Sequence, residues 1–253
     1  MDDRQLLRYS RHLLLDELGP DAQERFAAAH ALIVGIGGLG NPAAQFLASA
    51  GIGTLTLCDA DAVDLTNLQR QILFAMSEVG LPKVDAAARR LGAINPEVRI
   101  VPMHKRVGEP ELAQLVAAAD VVLDCTDNFT TRHAINRACV AARRPLVSGA
   151  AIRFDGQVAV FDTRRADSPC YHCLFGEGDE LEETRCATMG VFAPLVGIVG
   201  ATQAAEALKL VAGIGESLAG RLLLLDALSM QWREVRVPRD PACRVCAARG
   251  IAA

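Results

Sequence analysis

Apolar positions in this chain occur in short runs separated by segments with helical spacing. Residues 31–34 and 54–58 are rich in strand formers. Between them we predict a helix through residue 50, with Asn41 as its cap and Pro42 in its first turn. Strand, helix and strand in this order form a right-handed crossover in a parallel sheet. The first such segment of the chain is therefore predicted to be a βαβ unit.

The pattern changes at about residue 150. Before it, residues 82–94, 111–119 and 129–143 have helical spacing. Residues 121–124 form one buried strand among these predicted helices. After it, residues 152–161 alternate around Asp155-Gly156, a pair that favours a hairpin turn. The later elements are one helix and two strands, at 194–212, 222–225 and 231–237. We predict a Rossmann-like, doubly wound α/β sheet, parallel in its first half and largely antiparallel in its second.

The chain has 253 residues, of which 51% are hydrophobic, so it is long enough to bury a full core. We predict a single domain over residues 1–253, with two closely joined halves that meet at about residue 150. The 26 basic and 30 acidic residues give a net charge of −4 without a long basic run. Such a balance does not attract a nucleic-acid backbone, so we expect no nucleic-acid partner.

The longest apolar stretch, residues 191–210, contains Gln203, Glu206 and Lys209, which would be costly in hydrocarbon. We therefore predict a buried helix and no membrane span. The first residues lack the basic and then apolar layout of a secretory signal, and a cytoplasmic location is expected. Because cytosolic thiols stay reduced, the eight cysteines are poor candidates for structural disulfides, and their clustering becomes informative.

A glycine-rich turn follows the first predicted strand. Gly35, Gly37 and Gly40 have the spacing Gly-x-Gly-x-x-Gly, with Gly38 among them, and glycines there let the backbone approach a phosphate at a helix N-terminus. Asp59 ends the next strand, nineteen residues beyond Gly40, where a carboxylate can accept hydrogen bonds from ribose hydroxyls. Together the two features favour nucleotide binding over a plain glycine turn, without deciding between NAD and ATP.

Four polar residues further along bear on the choice of nucleotide. Arg70 and Lys83 could hold the charge of a triphosphate, and Asn67 and Gln71 could donate amide hydrogen bonds, although alone they also suit an ordinary solvated face. Asp127 lies just past the strand at 121–124, where open α/β sheets place ligands, and could hold Mg²⁺ against phosphate oxygens. The alternative role for Asp127 is a cap for the helix that follows.

Four cysteines form two Cys-x-x-Cys pairs, Cys170 with Cys173 and Cys243 with Cys246. Each pair is the usual contribution of two thiolates to tetrahedral zinc, and four thiolates leave no open position for catalysis. Sixty-nine residues separate the pairs, so the metal would tie the end of the chain to a long loop predicted at 163–188. The site is therefore predicted to be structural. The alternative, two redox-active pairs, lacks the strand-to-helix setting that such motifs prefer.

The same predicted loop carries Cys186, beside Arg185, which would favour its thiolate. From chemistry alone, a reactive and an inert role for this thiol both stay open. Cys58, Cys125 and Cys139 lie in apolar segments and are predicted to be small core residues.

Read together, the motifs closely resemble a family of bacterial adenylyltransferases that includes MoeB, ThiF and HesA, relatives of the ubiquitin-activating enzymes. Besides the two cysteine pairs, the matching segments are residues 8–11, 35–40, 67–71, 82–83, 123–128, 148–150 and 193–195. The resemblance spans nearly the whole chain. Residues 8–11, 69–74 and 231–233 look like the thiamine-pathway member, whereas 146–153 look like the molybdopterin-pathway member, which we favour.

The resemblance implies ATP as the nucleotide, with Mg²⁺ near its α-phosphate beside Asp127. It assigns Asp59 to the ribose, and Asn67, Arg70 and Lys83 to the phosphates. Arg11 resembles an arginine that reaches the ATP of the second subunit in a homodimer. The candidate ATP-binding residues are Gly37, Gly38, Asp59, Thr66, Asn67, Leu68, Gln69, Arg70, Lys83, Asp127 and Asn128, and the candidate catalytic residues are Arg11, Arg70, Lys83, Asp127 and Cys186.

The implied partner is a ubiquitin-like sulfur-carrier protein that ends in Gly-Gly, either the molybdopterin synthase small subunit or the thiamine-pathway carrier. Its carboxylate would attack the α-phosphorus of ATP, giving an acyl-adenylate and pyrophosphate. Residues from 1 to about 150 would bind the nucleotide, and 151–253 the carrier. The sulfur is expected from another protein, such as a cysteine desulfurase or a rhodanese, because little chain follows Cys246. Cys186 resembles a loop cysteine whose role in a covalent intermediate varies within the family.

Two other classes of function share part of this pattern. An NAD-dependent oxidoreductase would have the glycine turn and Asp59, but it has no use for residues 67–71 beside Lys83. A non-catalytic scaffold would keep the fold for binding a partner. The presence of Arg11, Arg70, Lys83 and Asp127 together argues against the scaffold.

Overall fold

The computed structural model describes residues 1–176 and 189–248. The described strands are β1 His30–Val34, β2 Thr54–Asp59, β3 Arg99–His104, β4 Val121–Asp124, β5 Leu146–Ile152, β6 Asp155–Phe161, β7 Arg221–Asp226 and β8 Gln231–Arg236. They form one sheet in the order β3-β2-β1-β4-β5-β6-β7-β8. The sheet is therefore continuous from the glycine-rich turn to the last strand.

The type of strand pairing changes once across this sheet, from parallel to antiparallel at β5. The pairs β1 with β2, β1 with β4, β2 with β3 and β4 with β5 are parallel, and β5 with β6, β6 with β7 and β7 with β8 are antiparallel. The predicted doubly wound α/β sheet, with a parallel and an antiparallel half, is confirmed. In the parallel half Val34 lies opposite both Cys58 and Asp124, so β1, β2 and β4 end at the same level.

Helices cover both faces of the sheet. They are α1 Asp3–Arg8, α2 Ser10–Leu13, α3 Gly19–Ala28, α4 Gly40–Ala50, α5 Lys83–Ile94, α6 Glu109–Ala118, α7 Phe129–Ala142, α8 Tyr171–Leu174 and α9 Ala193–Ala212, with 3₁₀ turns at Leu65–Asn67 and Met76–Glu78. Helices α3, α4, α5 and α9 bury their apolar side chains against one face, and α6, α7 and α8 against the other. The layers leave the carboxyl ends of the parallel strands open between them.

The short apolar run of β1 fits a strand that is covered on both sides. Ala31 and Ile33 belong to the core on the α4 face, whereas Leu32 and Val34 belong to the core on the α7 face. Because successive side chains of a strand point to opposite faces, a strand between two helical layers needs apolar residues at every position. This requirement explains why β1 and β4 are continuous apolar runs instead of alternating ones.

Helix α9 passes through the core beside the sheet. Among the residues described, it is the helix long and apolar enough to cross a membrane by length and composition, and half of that stretch is buried in the protein. Gln203 Nε2 donates to the carbonyl oxygens of Asp124 at 2.8 Å and Val147 at 3.2 Å, and Glu206 accepts the amide of Leu218 at 2.8 Å. These contacts agree with the predicted buried helix.

The prediction of a hairpin turn at Asp155-Gly156 was wrong. Ile152 pairs with Asp155, so the turn residues are Arg153 and Phe154, and Arg153 adopts a left-handed φ of 52°. Gly156 instead lies inside β6, where a Cβ would come within 2.7 Å of a side chain on α9. The glycine is needed for close packing of the helix on the sheet and not for the turn.

The prediction of Asn41 as a helix cap was also wrong. Helix α4 begins at Gly40, and Leu39 is its N-cap residue. Asn41 is fully buried, donates to the carbonyl oxygen of Ile36 at 3.0 Å and accepts the amide of Leu73 at 2.9 Å. Its side chain therefore fastens the glycine-rich turn to the segment after Gln71.

Several elements were not predicted from the sequence. Strand β3 lies at an edge of the sheet with half-exposed residues and contains Pro102, so it lacks a clear apolar pattern. The first half of β5 and helices α1 to α3 were also missed. Helix α8 occupies residues 171–174 of the loop predicted at 163–188, and residues 177–188 of that loop lie outside the described ones.

We predict that Asn41→Ala lowers the free energy of unfolding by about 2 to 4 kcal/mol, because it leaves a buried amide and a buried carbonyl without partners. Urea denaturation followed by circular dichroism measures the change. The exposed Gln69→Ala serves as a control and should stay within about 0.5 kcal/mol of the wild type. Equal midpoints for the two variants would contradict the prediction.

Candidate nucleotide-binding cleft and four-cysteine cluster

A cleft opens between β1 and β4, where the order of the strands in the sheet reverses. From β1 the chain moves to β2 and β3 on one side, and later to β4 and β5 on the other. At such a switch point the connections leave in opposite directions and expose a crevice at the carboxyl ends of the strands. The cleft here has a volume of about 710 Å³, within the range of roughly 300 to 1,000 Å³ that is typical of small-molecule sites.

The glycines of the turn after β1 have different roles. Gly35 has φ +91°, and a Cβ would lie 2.7 Å from the carbonyl oxygen of Cys125; a Cβ on Gly40 would lie 2.0 Å from the carbonyl oxygen of Gly35. These two positions shape the turn itself. Gly37 lines the cleft, and the nearest atom to its Cβ position is Gln71 Nε2 at 3.6 Å. Gly37 and Gly38 therefore present backbone to a ligand at the N-terminus of α4.

Asp59 stands at the end of β2 on the rim of the cleft, as predicted. One carboxylate oxygen accepts the amide of Ile36 at 2.7 Å, and the other accepts the amide of Asp61 at 2.8 Å. The carboxylate is thereby fixed against the glycine-rich turn. Each oxygen still has a lone pair, so the group can also accept hydrogen bonds from a ribose.

Two cations face the same cleft. Lys83, the first residue of α5, is buried and its ammonium lies 2.8 Å from the carboxylate of Asp61. Arg70 donates to the carbonyl oxygen of Thr66 at 3.2 Å and is half-buried. A buried lysine beside a cleft is unlike a residue of an ordinary solvated face, and the contacts of Lys83 and Arg70 with phosphates stay predictions. Asn67 lines the cleft as well.

Gln71 provides a test of fit for a polar ligand. Its side chain is 3% exposed and lines the cleft, yet its Oε1 has no hydrogen-bond partner among the described residues. A buried acceptor without a partner costs roughly 1 to 3 kcal/mol. A hydrated, polar ligand beside Gly37 would satisfy it, which fits a nucleotide phosphate with its bound water.

Asp127 lies in the loop between β4 and α7 and lines the cleft. The N-cap of α7 is Asn128, whose side chain accepts the amide of Thr131 at 2.9 Å. The capping role considered for Asp127 is therefore taken by its neighbour. Asp127 is exposed at the cleft, and its carboxylate is suited in kind to a magnesium ion.

The sequence reasoning missed three cationic residues of the cleft. Lys105 and Arg106 follow β3, at the same edge of the sheet as Asp59, and they were missed because β3 itself lacks a clear apolar pattern. Arg132 reaches the cleft from α7 and is buried. Nothing in the sequence distinguishes it from a solvated arginine, because its burial depends on the packing of α7 and α8.

Four predicted site residues in the described part of the chain do not line the cleft, and a fifth is not described. Thr66, Leu68 and Gln69 lie in the turn beside Asn67, and their proposed contacts with ATP stay predictions. Arg11 is exposed on α2, away from the cleft of its own chain. Cys186 lies outside the described residues.

The two predicted cysteine pairs come together. The sulfur atoms of Cys170, Cys173, Cys243 and Cys246 all lie within 4.8 Å of one another. Three sulfur–sulfur distances are 3.9, 3.7 and 3.5 Å, close to the roughly 3.8 Å expected around a tetrahedral ion with metal–sulfur bonds of about 2.3 Å. Hydrogen bonding from Cys170 lowers the pKa of Cys173 to about 4, which favours the thiolate that a metal requires. The cluster can therefore hold a metal ion.

A doubly wound sheet with a glycine-rich turn, a rim carboxylate and cations at its switch point defines a nucleotide-binding protein of the α/β class. A sequence model of the ThiF family matches residues 9–245. The chain belongs to the ThiF family.

Three individual proteins illustrate the relationship. The chain is 47% identical over 249 residues to a molybdopterin-synthase adenylyltransferase of Escherichia coli, covering 97% of this chain and 98% of that protein. It is 46% identical over 246 residues to the Escherichia coli sulfur carrier protein ThiS adenylyltransferase, covering 97% of each. Its fold is similar to the crystal structure of Escherichia coli MccB with ATP, with a TM-score of 0.83, 26% identity and coverage of 94% of this chain and 73% of that one.

The three cysteines predicted to be core residues, Cys58, Cys125 and Cys139, are buried. Burial raises the pKa of Cys58 to about 12, so only about one molecule in ten thousand carries this thiolate at pH 8. We predict that iodoacetamide labels Cys58 in the native protein at least about 100-fold more slowly than in urea. Mass spectrometry of the tryptic peptides measures both rates, and similar rates would contradict the prediction.

Proposed function

We propose that this protein adenylylates the C-terminal carboxylate of a ubiquitin-like sulfur-carrier protein that ends in Gly-Gly, using ATP and releasing pyrophosphate. The observation that carries the proposal is the meeting of Arg70, Lys83 and Asp127 with the glycine-rich turn in one cleft. The near-complete coverage of two relatives named as adenylyltransferases supports it.

In this proposal the cleft holds ATP across the switch point. The rim carboxylate of Asp59 accepts hydrogen bonds from the ribose, and the amides of Gly37 and Gly38 contact phosphate oxygens. Arg70 and Lys83 hold the negative charge of the phosphates. Lys83 is suited to this role because Asp61 keeps its ammonium fixed and mostly out of water, where its charge is felt strongly.

The reaction needs little covalent chemistry from the protein. A carboxylate oxygen of the carrier attacks the α-phosphorus, the bond from that phosphorus to the β-phosphate oxygen breaks, and pyrophosphate leaves with the electron pair. Positioning the two reactants in line and stabilising the spreading charge lower the barrier. Asp127 would hold Mg²⁺, which neutralises phosphate charge when bound.

The antiparallel half would bind the carrier. Leu224 of β7 lines the cleft, and exposed apolar side chains occur in the β5–β6 turn, in the segment before α9, in the β7–β8 turn and on β8. These exposed side chains are Phe154, Phe192, Leu228, Met230, Trp232 and Val235. Exposed apolar side chains in the half of the sheet that borders the cleft are typical of a protein-binding site, and they would help to direct the carrier's tail into the cleft.

Arg11 would act on a second copy of the chain. It lies on α2, outside the cleft of its own chain, beside exposed leucines on the N-terminal helices. These leucines are Leu6, Leu7, Leu14 and Leu15. Burying them in a homodimer would place the arginine at an interface, from which it could reach the partner's ATP.

The relatives from the two pathways are 47% and 46% identical to this chain, so their similarity does not choose between the two carriers. The adenylylation experiment below makes that choice. A cytoplasmic location, a separate sulfur donor such as a cysteine desulfurase or a rhodanese, and a covalent role for Cys186 all belong to the proposal. An unchanged rate of sulfur transfer to the carrier in Cys186→Ala would refute the covalent role of Cys186.

We predict that the protein catalyses carrier-dependent exchange of radiolabelled pyrophosphate into ATP. Mass spectrometry should show AMP added to a carrier ending in Gly-Gly, and no product with a carrier whose last glycine is an amide. Testing the molybdopterin and thiamine carriers side by side identifies the partner. Binding of NAD instead of ATP would support an oxidoreductase, and ATP binding without exchange would support a scaffold.

Lys83→Ala and Asp127→Ala should each lower the exchange rate by about 100- to 1,000-fold, because each removes a charge that acts on the phosphates. Asp85→Ala, an exposed substitution on the same helix as Lys83, is the matched control and should keep nearly full activity. Comparable losses in all three variants would show that the effect is not specific to the cleft.

The metal of the cysteine cluster is proposed to be zinc. Elemental analysis of the purified protein should find about one zinc per chain, and Cys243→Ser should lose most of it. The thermal midpoint of that variant should fall by several degrees, since the C-terminal segment is no longer tied to the chain near residue 170. Cys139→Ala is the matched control, because it removes a buried thiol outside the cluster and should keep the zinc.

A further inference from the structure

We propose that Arg132 is a positioning residue that links the four-cysteine cluster to the loop carrying Asp127, with Tyr171 as the intermediate contact. The proposal rests on the proposed function, since it concerns how well the protein holds magnesium together with ATP. It assigns to the cluster an effect on the nucleotide site, beyond stabilising the chain terminus.

The first step is the contact between Arg132 and the loop. One nitrogen of its guanidinium donates to the carbonyl oxygen of Thr126, the residue before Asp127, and to that of Gly149 at 3.1 Å. The other lies 3.8 Å from the carboxylate of Asp124. Burial opposes the charge on the guanidinium, but Asp124 favours it, and the pKa of Arg132 is raised. The charged form is therefore the one that holds the loop.

The second step is the rigidity of Asp124. Its carboxylate is fully buried and accepts the amide and the hydroxyl of Thr126, at 3.0 and 2.7 Å, and the hydroxyl of Ser148 at 3.0 Å. A buried carboxylate with this many partners has one stable position. Any shift of Arg132 would leave buried polar groups unpaired, so loop and guanidinium are expected to move together.

The third step leads from Arg132 to the cysteine cluster. Tyr171 is 1% exposed and lines the same cleft as Arg132, close enough to help raise the pKa of the guanidinium. Tyr171 follows Cys170 directly, and its amide donates to Asn136 at 2.9 Å. Asn136 in turn donates to the sulfur of Cys170 at 3.7 Å. A metal that fixes Cys170 would thus also fix the position of Tyr171 beside Arg132.

These contacts form a continuous buried path from a metal ligand to the loop of Asp127. If the path positions that carboxylate, disturbing it should weaken magnesium binding selectively, while the glycine-rich turn and Lys83 still hold the nucleotide. If the path is only structural, disturbing it should lower stability and leave the magnesium requirement unchanged. The Mg²⁺ dependence of ATP binding distinguishes the two cases, and its measurement does not require catalytic turnover.

The experiment is calorimetric titration of ATP into the full-length protein across a range of Mg²⁺ concentrations, without carrier. Arg132→Lys keeps the charge but loses the forked donor, and it should raise the Mg²⁺ concentration needed for half-maximal binding by about 10-fold. Tyr171→Phe, which removes only a hydroxyl, should raise it by about 3-fold. In both variants the affinity for ATP without added Mg²⁺ should stay within about 2-fold of the wild type. Cys139→Ala, on the same helix as Arg132, controls for loss of stability and should leave the Mg²⁺ requirement unchanged.

Removal of zinc with a chelator provides a second arm. It should raise the Mg²⁺ requirement of the wild type and add little in Tyr171→Phe, because the path is already broken there. Equal effects of the chelator in both proteins would overturn the proposal, as would lower thermal midpoints in the two path variants with an unchanged Mg²⁺ requirement. If the chelated protein unfolds, the zinc-loaded variants alone decide. Absence of ATP binding by the wild type would refute the proposed function instead.

Discussion

The close contact between the backbone after β1 and the backbone after β4 is the constraint on which the site depends. The amide of Gly35 donates to the carbonyl oxygen of Cys58 at 2.8 Å, and the amide of Cys125 donates to that of Val34 at 2.9 Å. The ends of three parallel strands are thereby held together, and a side chain at Gly35 would occupy the position of the Cys125 carbonyl. The turn, the rim carboxylate and the loop of Asp127 all follow from this junction.

Parts of the site that depend on local sequence could be predicted. Adjacent residues in the sequence are enough to interpret the glycine spacing, Asp59 at a strand end and Asp127 past a buried strand. The parallel half of the fold was predictable for the same reason, because two-sided burial makes its central strands continuous apolar runs. The change to antiparallel pairing was also anticipated, although the turn that begins it was misplaced by two residues.

What could not be predicted depends on contacts between distant segments. Asn41 looks like a helix cap, but its amide bridges the glycine-rich turn and the segment at Leu73, a role visible only when both are in place. Gly156 looks like a turn residue because its sequence does not reveal that α9 packs against it. Arg132 is the strongest case, since its partners come from β4, β5 and α8. In contrast, the cysteine pairs were predictable despite their separation, because each Cys-x-x-Cys motif is a local signature of two metal ligands and two such motifs complete a tetrahedral site.

The contacts of α9 also limit how this protein can vary. Gln203 fills the space above Gly149, where even a methyl group would lie 2.5 Å from the amide, and a Cβ on Gly200 would lie 2.3 Å from the backbone of Leu39. Sliding the helix by one turn would leave the buried amide of Gln203 without its partners and would bring a residue with a side chain to the place of Gly200 beside Leu39. The helix therefore has one register on the sheet, and its inner surface should tolerate few substitutions while its half-exposed side accepts many. Among related sequences, the variable positions along α9 should accordingly follow the periodicity of its contacts and not that of its hydrophobicity.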